Sequence, residues 1–250
     1  MNPRDPRTLK VHIISLPGSC VRRESIRNQL CAQWDNWQFF DGVCGEDGAS
    51  HFNSVDEKGF FAATGRKVAP NEIGCFASHA RLWQECFEGN EPIVVLEDDA
   101  ALAPSFSESI RAAEKSIRRL GFVRLQDDGP RIVEQKIPVD MCAPFEFLRY
   151  FRYPYGAMGY VISPDVARVF HARSRIFSEP ADSFIKRYWN HGVPLFGISP
   201  PTVTGGPLSE KTTIRGREKQ FVPLRERRIR FVRKMGDTFR RAVFNSRTVS

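Results

Sequence analysis

The chain has 250 residues, 41% of them hydrophobic, and its 37 basic and 29 acidic residues give a net charge of +8. A chain of this size and apolar content can bury one sizeable core, which excludes an intrinsically disordered or fibrous protein. No apolar run reaches the roughly 18 residues that a transmembrane helix requires. Residues 1–7 are polar and lack the apolar stretch of a signal peptide, so we expect a cytoplasmic protein.

Apolar periodicity and turn residues predict alternating strands and helices along the chain. The predicted strands are residues 11–16, 37–43, 92–96, 121–125, 158–163 and 193–198, and the predicted helices are 22–33, 72–88, 105–119, a helix from Pro164, and 180–191. Residues 44–57 are predicted to form a surface loop, and residues 130–155 short paired strands. Alternation of this kind is typical of a parallel α/β sheet.

Three consecutive acids follow the apolar run of residues 93–96. Such a run predicts a buried strand, and open α/β sheets bind ligands at the carboxyl ends of their strands. Glu97, Asp98 and Asp99 would repel one another at that end unless a cation lay among them. Alternatively, they form a solvated turn that ends the strand. A divalent metal ion that carries a diphosphate would supply the missing charge.

The six cysteines form no Cys-x-x-Cys pair, and without an export signal we expect reduced and mostly buried thiols. Cys75 and His79 share one stripe of the predicted helix 72–88 with Glu72, because residues at i, i+3 and i+7 lie together. Both could contact zinc, but two ligands do not make a structural zinc site, and Cys86 lies two further turns along the helix. The alternative for His79 is a helix residue that hydrogen-bonds to a neighbouring loop.

Two motifs in this region resemble the central motifs of glycosyltransferase family 25. They are Glu72-Ile73-Gly74-Cys75 with Ser78-His79, and then Val95-Leu96-Glu97-Asp98-Asp99-Ala100. Further segments resemble the family in the same order, namely residues 11–16 with Arg22-Arg23, 39–43, 159–163, 180–182 and 200–204. The family includes lipooligosaccharide galactosyltransferases of Gram-negative bacteria and galactosyltransferase domains of animal collagen modification.

The resemblance implies a GT-A-like fold, a Rossmann-type mixed sheet flanked by helices. It covers residues 11 to about 205, so we assign residues 1–10 to a lead, 11–214 to the catalytic domain and 215–250 to a basic C-terminal tail. It also implies a metal-dependent, inverting transfer of galactose from UDP-galactose to a lipooligosaccharide or lipopolysaccharide core sugar. The alternatives are a nucleotide- or glycan-binding protein that keeps this fold without turnover, and a basic nucleic-acid-binding module.

Candidate site residues follow from these motifs. The resemblance equates residues 97–99 with an Asp-x-Asp type motif, which implies Mn²⁺ or Mg²⁺ bound by Asp99 and Glu97. Donor-binding roles are implied for the following residues: Arg22, Arg23, Glu72, Ser78, His79, Glu97 and Asp98. Arg22 and Arg23 begin a helix and could contact the donor phosphates, or could simply lie on a solvated helix face. His191 is a conceivable further metal ligand, although we expect it at the surface.

An inverting transfer needs a carboxylate base on the face opposite the donor. Asp182 is the leading candidate, because Pro180-Ala181-Asp182 resembles the Pro-x-Asp segment of the family. An N-cap would explain Asp182 equally well. Asp127 and Asp128, at another predicted strand end, are rivals for the role.

The net charge is concentrated near the C-terminus. Residues 215–241 contain eleven basic and three acidic residues, so this segment alone carries the net +8 of the whole chain. Val232, Met235, Phe239 and Val243 recur at helical spacing, with cations on the other faces. We therefore expect residues 215–244 to bind an anionic membrane at the inner face of the inner membrane, near a lipid-linked acceptor. The alternative is a helix whose apolar stripe packs on the domain. We expect no nucleic acid partner, because no groove-reading motif is present.

Overall fold

The computed structural model describes residues 8–127, 136–208 and 224–248. Twelve strands lie in these segments: β1 (Lys10–Ser15), β2 (Trp37–Asp41), β3 (Ser54–Val55), β4 (Ile93–Glu97), β5 (Ala100–Leu102), β6 (Phe122–Arg124), β7 (Lys136–Cys142), β8 (Phe145–Tyr150), β9 (Gly159–Ile162), β10 (Ile176–Phe177), β11 (Phe196–Ser199) and β12 (Val203–Gly205). The α-helices of the same segments are α1 (Cys20–Cys31), α2 (Glu57–Thr64), α3 (Pro70–Gly89), α4 (Phe106–Leu120), α5 (Pro164–Arg173), α6 (Ala181–Lys186), α7 (Tyr188–His191) and α8 (Leu224–Arg247).

Eight strands form the central sheet in the order β2-β1-β4-β9-β6-β11-β8-β7. The strands β2, β1 and β4 are parallel, whereas β9 runs antiparallel to both of its neighbours, β4 and β6. The wholly parallel sheet predicted from the alternation of elements is therefore wrong, and the mixed sheet implied by the family resemblance is confirmed. Periodicity could not show this, because a strand that is buried on both faces is equally apolar in either direction.

Two apolar cores cover the faces of this sheet. Side chains of β4 alternate between them, so that Val95 contributes to one core and Val94 to the other. The first core packs the sheet against α2, α3, α5, α6 and α7, and the second packs it against α1 and α4. The helices thus flank the sheet on both sides, which leaves the carboxyl ends of its strands for ligands.

Helix α3 positions the main sequence motif. It begins with Pro70, at a position where a missing backbone N–H is tolerated, and it ends at Gly89, followed by the C-cap Asn90 with left-handed backbone. Residues 44–57 do not form the simple surface loop that we predicted, because Phe52 is buried in the first core. Gly48 lies against the α3 backbone, where a Cβ atom would approach the Gly74 nitrogen to 2.7 Å.

The predicted helix 180–191 is divided into α6 and α7, which meet at Arg187. His191, which we expected at the surface, is buried at the end of α7. Its Nε2 contacts the Ile185 carbonyl oxygen at 3.0 Å, its Nδ1 accepts from the Val193 nitrogen, and its ring packs on Phe170. Because both ring nitrogens are occupied, the suggestion of His191 as a metal ligand is wrong.

Helix α8 lies against the domain through a mostly polar face. Asp237 accepts from Arg187 at 2.8 Å, and Arg233 donates to Glu179, which Arg187 also contacts. The apolar stripe is directed elsewhere, because Val232, Met235 and Phe239 are 69%, 60% and 70% exposed. The alternative in which this stripe packs on the domain is therefore wrong for these three residues, while Val243 is half-buried.

The cysteines are free thiols, as expected for a protein without disulfide bonds. The expectation that most are buried is wrong, because Cys86 is buried, Cys75 and Cys142 are half-buried, and the other three are exposed. Over the described residues, no helix combines the length and the apolar character that crossing a bilayer demands.

Candidate active site

The three acids of the β4 motif diverge from one another as the strand ends. Ser15, at the end of the neighbouring parallel strand β1, donates its hydroxyl proton to Asp98 Oδ2 at 2.7 Å. This contact is buried and turns Asp98 toward β1. Glu97 turns the other way, toward α3, where its Oε1 lies 3.5 Å from His79 Nε2. Asp99 lies near Arg22, whose Nη1 is 3.5 Å from Asp99 Oδ2.

Arg22 places one cation among these acids. Its Nη1 donates to Asp98 Oδ1 at 3.1 Å and lies 3.5 Å from Asp99 Oδ2, while its Nη2 donates to the Leu208 carbonyl. The side chain is only 14% exposed, so the solvated helix face that we considered for Arg22 is wrong. One guanidinium faces two carboxylates, with Glu97 close by as a third negative charge.

Asp99 is left with uncompensated charge. Its Oδ1 is buried and has no hydrogen-bond partner among the described residues. Burial, followed by the nearby Glu97 carboxylate, raises the pKa of Asp99 to about 6, and Arg22 only partly opposes this shift. An acid in such a position favours a proton or a bound cation. The backbone at Asp99 is fixed by Gly206, whose nitrogen donates to the Asp99 carbonyl oxygen at 2.9 Å.

His79 is fully buried between Glu97 and an aromatic cluster. Its Nδ1 lies 2.9 Å from the Tyr160 hydroxyl, which also accepts from Trp83 Nε1 at 2.9 Å. Its Nε2 has no hydrogen-bond partner among the described residues. The neighbouring-loop partner that we considered for His79 is therefore wrong, since its contacts come from strands β4 and β9.

Glu72 and Ser78 do not join this cluster. Glu72 is buried and forms a bidentate ion pair with Arg66. It also accepts a hydrogen bond from the Ala69 nitrogen at the start of α3. The hydroxyl of Ser78 accepts from the Val43 nitrogen at 2.9 Å and donates to the Gly74 carbonyl. These contacts fasten α3 to its surroundings, and the donor-binding roles of both residues stay predictions.

Arg23 lies at the ends of β1 and β2. Its guanidinium donates to the Ser15 carbonyl oxygen at 2.9 Å and forms an ion pair with Asp41. The Arg23 Cζ atom lies 4.7 Å from the centre of the Phe39 ring. Through Ser15 it is linked to Asp98, since its Nε also donates to the Ser15 hydroxyl. Its predicted contact with a donor phosphate stays a prediction.

Asp182 is the second residue of α6. Pro180 is the N-cap, so the capping alternative for Asp182 is wrong. The surroundings are cationic and aromatic: Lys186 Nζ lies 3.4 Å from the centre of the Tyr155 ring. Burial lowers the pKa of Lys186 to about 8, and the Asp182 carboxylate opposes this shift. The Asp182 carboxylate also contributes to the raised pKa of Arg66, after the larger effect of the hydrogen bond from Arg66 to Glu72. Asp182 therefore lies near the ion pair at the start of α3.

Asp127, one of the two rival bases, lies near a buried arginine that the sequence analysis missed. Arg124, 2% exposed, donates to the carbonyl oxygens of Asp127, Tyr155 and Gly156 and so fixes the loop that carries Tyr155. The signal was present in the sequence, since a lone arginine interrupts an otherwise apolar strand. Asp127 is half-buried, and Asp128 lies outside the described residues.

The residues at the end of β4 fit a divalent metal ion. Carboxylate oxygens are the preferred ligands of Mg²⁺ and Mn²⁺, and Asp99 offers a buried oxygen without a hydrogen-bond partner in the described chain. The Glu97 side chain is 30% exposed, so it can turn toward a bound metal ion. A cation there would offset the burial and the repulsion from Glu97 that together raise the pKa of Asp99.

The chain is similar in sequence to several known proteins. The chain is 28% identical over 178 residues to the lipooligosaccharide biosynthesis protein lic2B of Haemophilus influenzae, an alignment that covers 63% of this chain and 60% of that protein. It is 24% identical over 209 residues to the lacto-N-neotetraose biosynthesis glycosyltransferase LgtE of Neisseria gonorrhoeae, covering 77% of this chain and 72% of that protein. It is 32% identical over 107 residues to a glycosyltransferase 25 family member of Aedes aegypti, covering 39% of this chain and 16% of that protein.

The alignments thus span between about one sixth and three quarters of these relatives. The model of glycosyltransferase family 25, described as a lipopolysaccharide biosynthesis protein family, matches residues 8–185. That stretch contains strands β1 to β10, both central motifs and Asp182. The chain belongs to glycosyltransferase family 25.

Proposed function

We propose that this chain is a metal-dependent, inverting glycosyltransferase that moves galactose from UDP-galactose onto a core sugar of lipooligosaccharide or lipopolysaccharide. Membership of the family supports transfer of a sugar, and the printed names of the Haemophilus and Neisseria relatives support the acceptor class. The observation that carries the proposal is the end of β4, where a buried carboxylate oxygen of Asp99 lacks a hydrogen-bond partner in the described chain.

Asp99 and Glu97 would hold the ion, Mn²⁺ or Mg²⁺. A bound divalent ion supplies positive charge for the diphosphate that leaves the anomeric carbon of the donor. Arg22 lies in contact with the same acids and would contribute a second positive charge on the leaving-group side. The pairing of Asp98 with Ser15 and Arg22 fixes the strand end and keeps Asp99 in place.

Asp182 would take the proton from the acceptor hydroxyl as that oxygen attacks the anomeric carbon. Its carboxylate acts to raise the pKa values of Lys186 and Arg66, so both cations lie close enough to interact with it. Tyr155 presents a ring that is 62% exposed beside this carboxylate, and an exposed aromatic ring can pack against the apolar face of a sugar. These residues would make the acceptor side of the site.

A donor-binding protein without turnover is the second candidate. It would use the same acids and the same metal ion, so the geometry at β4 does not separate the two. A nucleic-acid module is less well supported, because the acids at β4 would repel phosphate in the absence of a metal ion.

A transfer assay with the purified chain tests the proposal. A panel of UDP-sugars is offered with a truncated lipooligosaccharide acceptor, with Mn²⁺, with Mg²⁺ and with a chelator, and product and released UDP are both measured. We expect transfer from UDP-galactose that the chelator stops and Mn²⁺ restores. Donor binding without transfer to any acceptor would support the second candidate, and transfer unaffected by the chelator would refute metal dependence.

We propose further that α8 attaches the protein to an anionic membrane surface at the inner face of the inner membrane. Three apolar side chains of its stripe, Val232, Met235 and Phe239, are largely exposed. The exposed cations Arg228 and Lys234 lie on the same helix. A helix of this type inserts its apolar side chains at the headgroup level while its cations contact anionic lipid, each contributing about 1 kcal/mol near the surface.

Vesicle sedimentation tests this attachment. We expect the chain to bind vesicles that contain phosphatidylserine, to bind weakly to neutral phosphatidylcholine vesicles, and to be released as salt rises, since exposed charges are screened over about 8 Å at physiological ionic strength. Equal binding to both vesicle types would refute the role of the cations. Deleting α8 is a poor test, because Glu179 would lose its contact with Arg233 and the fold could suffer.

A further inference from the structure

Cys75, His79 and Glu97 converge at the point where α3 meets the end of β4. One possible ligand atom from each residue lies within 4.8 Å of the other two. Cys75 and His79 are four residues apart on α3 and therefore share a face of the helix. The zinc site that the sequence analysis set aside for want of a third ligand has a third ligand in the fold, since Glu97 approaches from a different element.

The imidazole of His79 points its unused nitrogen into this cluster. The side chain is fully buried, and Nε2 has no hydrogen-bond partner among the described residues. A buried polar atom without a partner costs about 1–3 kcal/mol, so its persistence needs an explanation. A bound ion is one explanation, because it would accept the Nε2 lone pair.

We propose that Cys75, His79 and Glu97 bind a transition-metal ion of the zinc class. A thiolate, an imidazole nitrogen and a carboxylate oxygen are the three ligand types that zinc takes from proteins, whereas Mg²⁺ prefers oxygen alone. Three protein ligands leave a fourth position for water or a substrate oxygen, as in catalytic zinc sites. This site rests on the proposed function in one respect, because both use Glu97. One carboxylate oxygen of Glu97 would bind the zinc-class ion and the other would bind the Mn²⁺ or Mg²⁺ ion.

The surroundings of His79 suit this role. A histidine that binds metal through Nε2 carries its proton on Nδ1, and that proton needs an acceptor. The Tyr160 oxygen lies 2.9 Å from Nδ1 and has two lone pairs, of which one accepts from Trp83. Tetrahedral bonds of about 2.0–2.3 Å place ligand atoms about 3.3–3.8 Å apart. His79 Nε2 and Glu97 Oε1 already lie 3.5 Å apart, and the three ligand atoms lie within 4.8 Å of one another, so small side-chain shifts would close the site around an ion.

Titration of the chelator-treated full chain with Co²⁺, in the absence of any nucleotide, tests the proposal. Co²⁺ bound to a thiolate gives a sulfur-to-metal charge-transfer band that oxygen ligands do not give. We expect the native chain to show this band with one Co²⁺ per chain. Cys75→Ser should lose the band and weaken binding by at least the roughly 10- to 100-fold that follows loss of an outer-shell partner.

Cys142→Ser is the matched control, since Cys142 is half-buried like Cys75. It should keep both the band and the affinity, and Glu97→Gln should keep the band but bind more weakly. Asp99→Asn should also keep the band, which separates this ion from the one proposed for the donor. Circular dichroism confirms that each variant is folded. Absence of the band from the native chain, or its persistence in folded Cys75→Ser, would overturn the proposal whatever the transfer assay shows.

Discussion

The end of β4 and the helix α8 are both strongly charged, but the fold treats their charges in opposite ways. At β4, three carboxylates are crowded where water is scarce, and the pKa of Asp99 rises to about 6 because of burial. On α8, most cations are exposed. The side of the helix that faces the domain forms ion pairs with it, such as Asp237 of α8 with Arg187, which lies between α6 and α7. Of these two regions, the end of β4 is the one where described side chains of like charge lie together without enough opposite charge.

This difference matches the two roles proposed above, chemistry at the end of β4 and attachment to a membrane through α8. Crowded, partly buried charges of one sign are costly and are kept where a ligand compensates for them, as at a catalytic metal site. Exposed charges beside an exposed apolar stripe cost little and act over a surface. The four predictions below either break this division of roles or sharpen it.

The largest effect is expected at Asp99. Replacing it by Asn removes the charge but keeps the shape, and loss of a ligand that stabilises the leaving diphosphate should lower kcat by roughly 10²–10³ or more. The exposed Asp35 offers a matched control, since Asp35→Asn removes an acid far from the cluster. Steady-state transfer rates measure both variants. Normal turnover by Asp99→Asn would remove the acids of β4 from the mechanism.

Asp182→Asn should have the next largest effect. If Asp182 takes the acceptor proton, kcat should fall by roughly 10² while affinity for the donor barely changes. Because Pro180 provides the N-cap, the substitution should leave α6 and the thermal midpoint intact. Rates at varied donor concentration, with a thermal melt as control, decide the matter. A near-normal kcat would transfer the role to Asp127 or Asp128.

Stability should depend on pH through Asp99. Its pKa is raised from 3.8 to about 6 in the folded chain, so the folded state holds more protons than the unfolded state between these values. The unfolding free energy of the metal-free protein should therefore fall as pH rises from about 4 to 6, by an amount on the order of 3 kcal/mol. Asp99→Asn should remove this part of the slope in urea titrations, and an unchanged slope would assign it to other groups.

The smallest effect on the fold is expected from the α8 stripe. Met235 and Phe239 are exposed, so replacing both by Ser should leave the thermal midpoint unchanged. Membrane binding should weaken by at least about tenfold, since burying such a side chain contributes about 1.5–3 kcal/mol. Asp237→Asn is the contrasting variant, because it loosens Arg187 and should lower the midpoint. If vesicle binding is unchanged in the double variant, the apolar stripe does not contribute and the cations of α8 account for the binding.

Local patterns predicted the elements well where periodicity was strong. Helix α3, strand β4 and the exposed stripe of α8 all follow from spacing, and the motif at 97–99 was placed correctly at a strand end. The direction of β9 and the break between α6 and α7 could not be read, because they are set by packing between distant segments. His191 shows the same limit, since a histidine before a glycine carries no sign of burial.

The contacts within the site were less predictable than its position. Nothing local indicates that Glu97 turns toward His79 while Asp98 turns toward Ser15, because both choices depend on which strands are neighbours. The pairing of Glu72 with Arg66 likewise joins a loop to a helix start. A stripe shared by Glu72, Cys75 and His79 was correct as helix geometry, but tertiary partners divided it into two sites.

The most direct test of the central claim is calorimetric titration of UDP into the native chain and into Asp99→Asn, each with and without Mn²⁺. If the acids at the end of β4 hold the ion that carries the donor diphosphate, UDP should bind the native chain tightly only when Mn²⁺ is present. Asp99→Asn should show weak binding that Mn²⁺ does not improve. Tight, metal-independent binding of UDP, or Mn²⁺ enhancement that is equal in both proteins, would contradict the account.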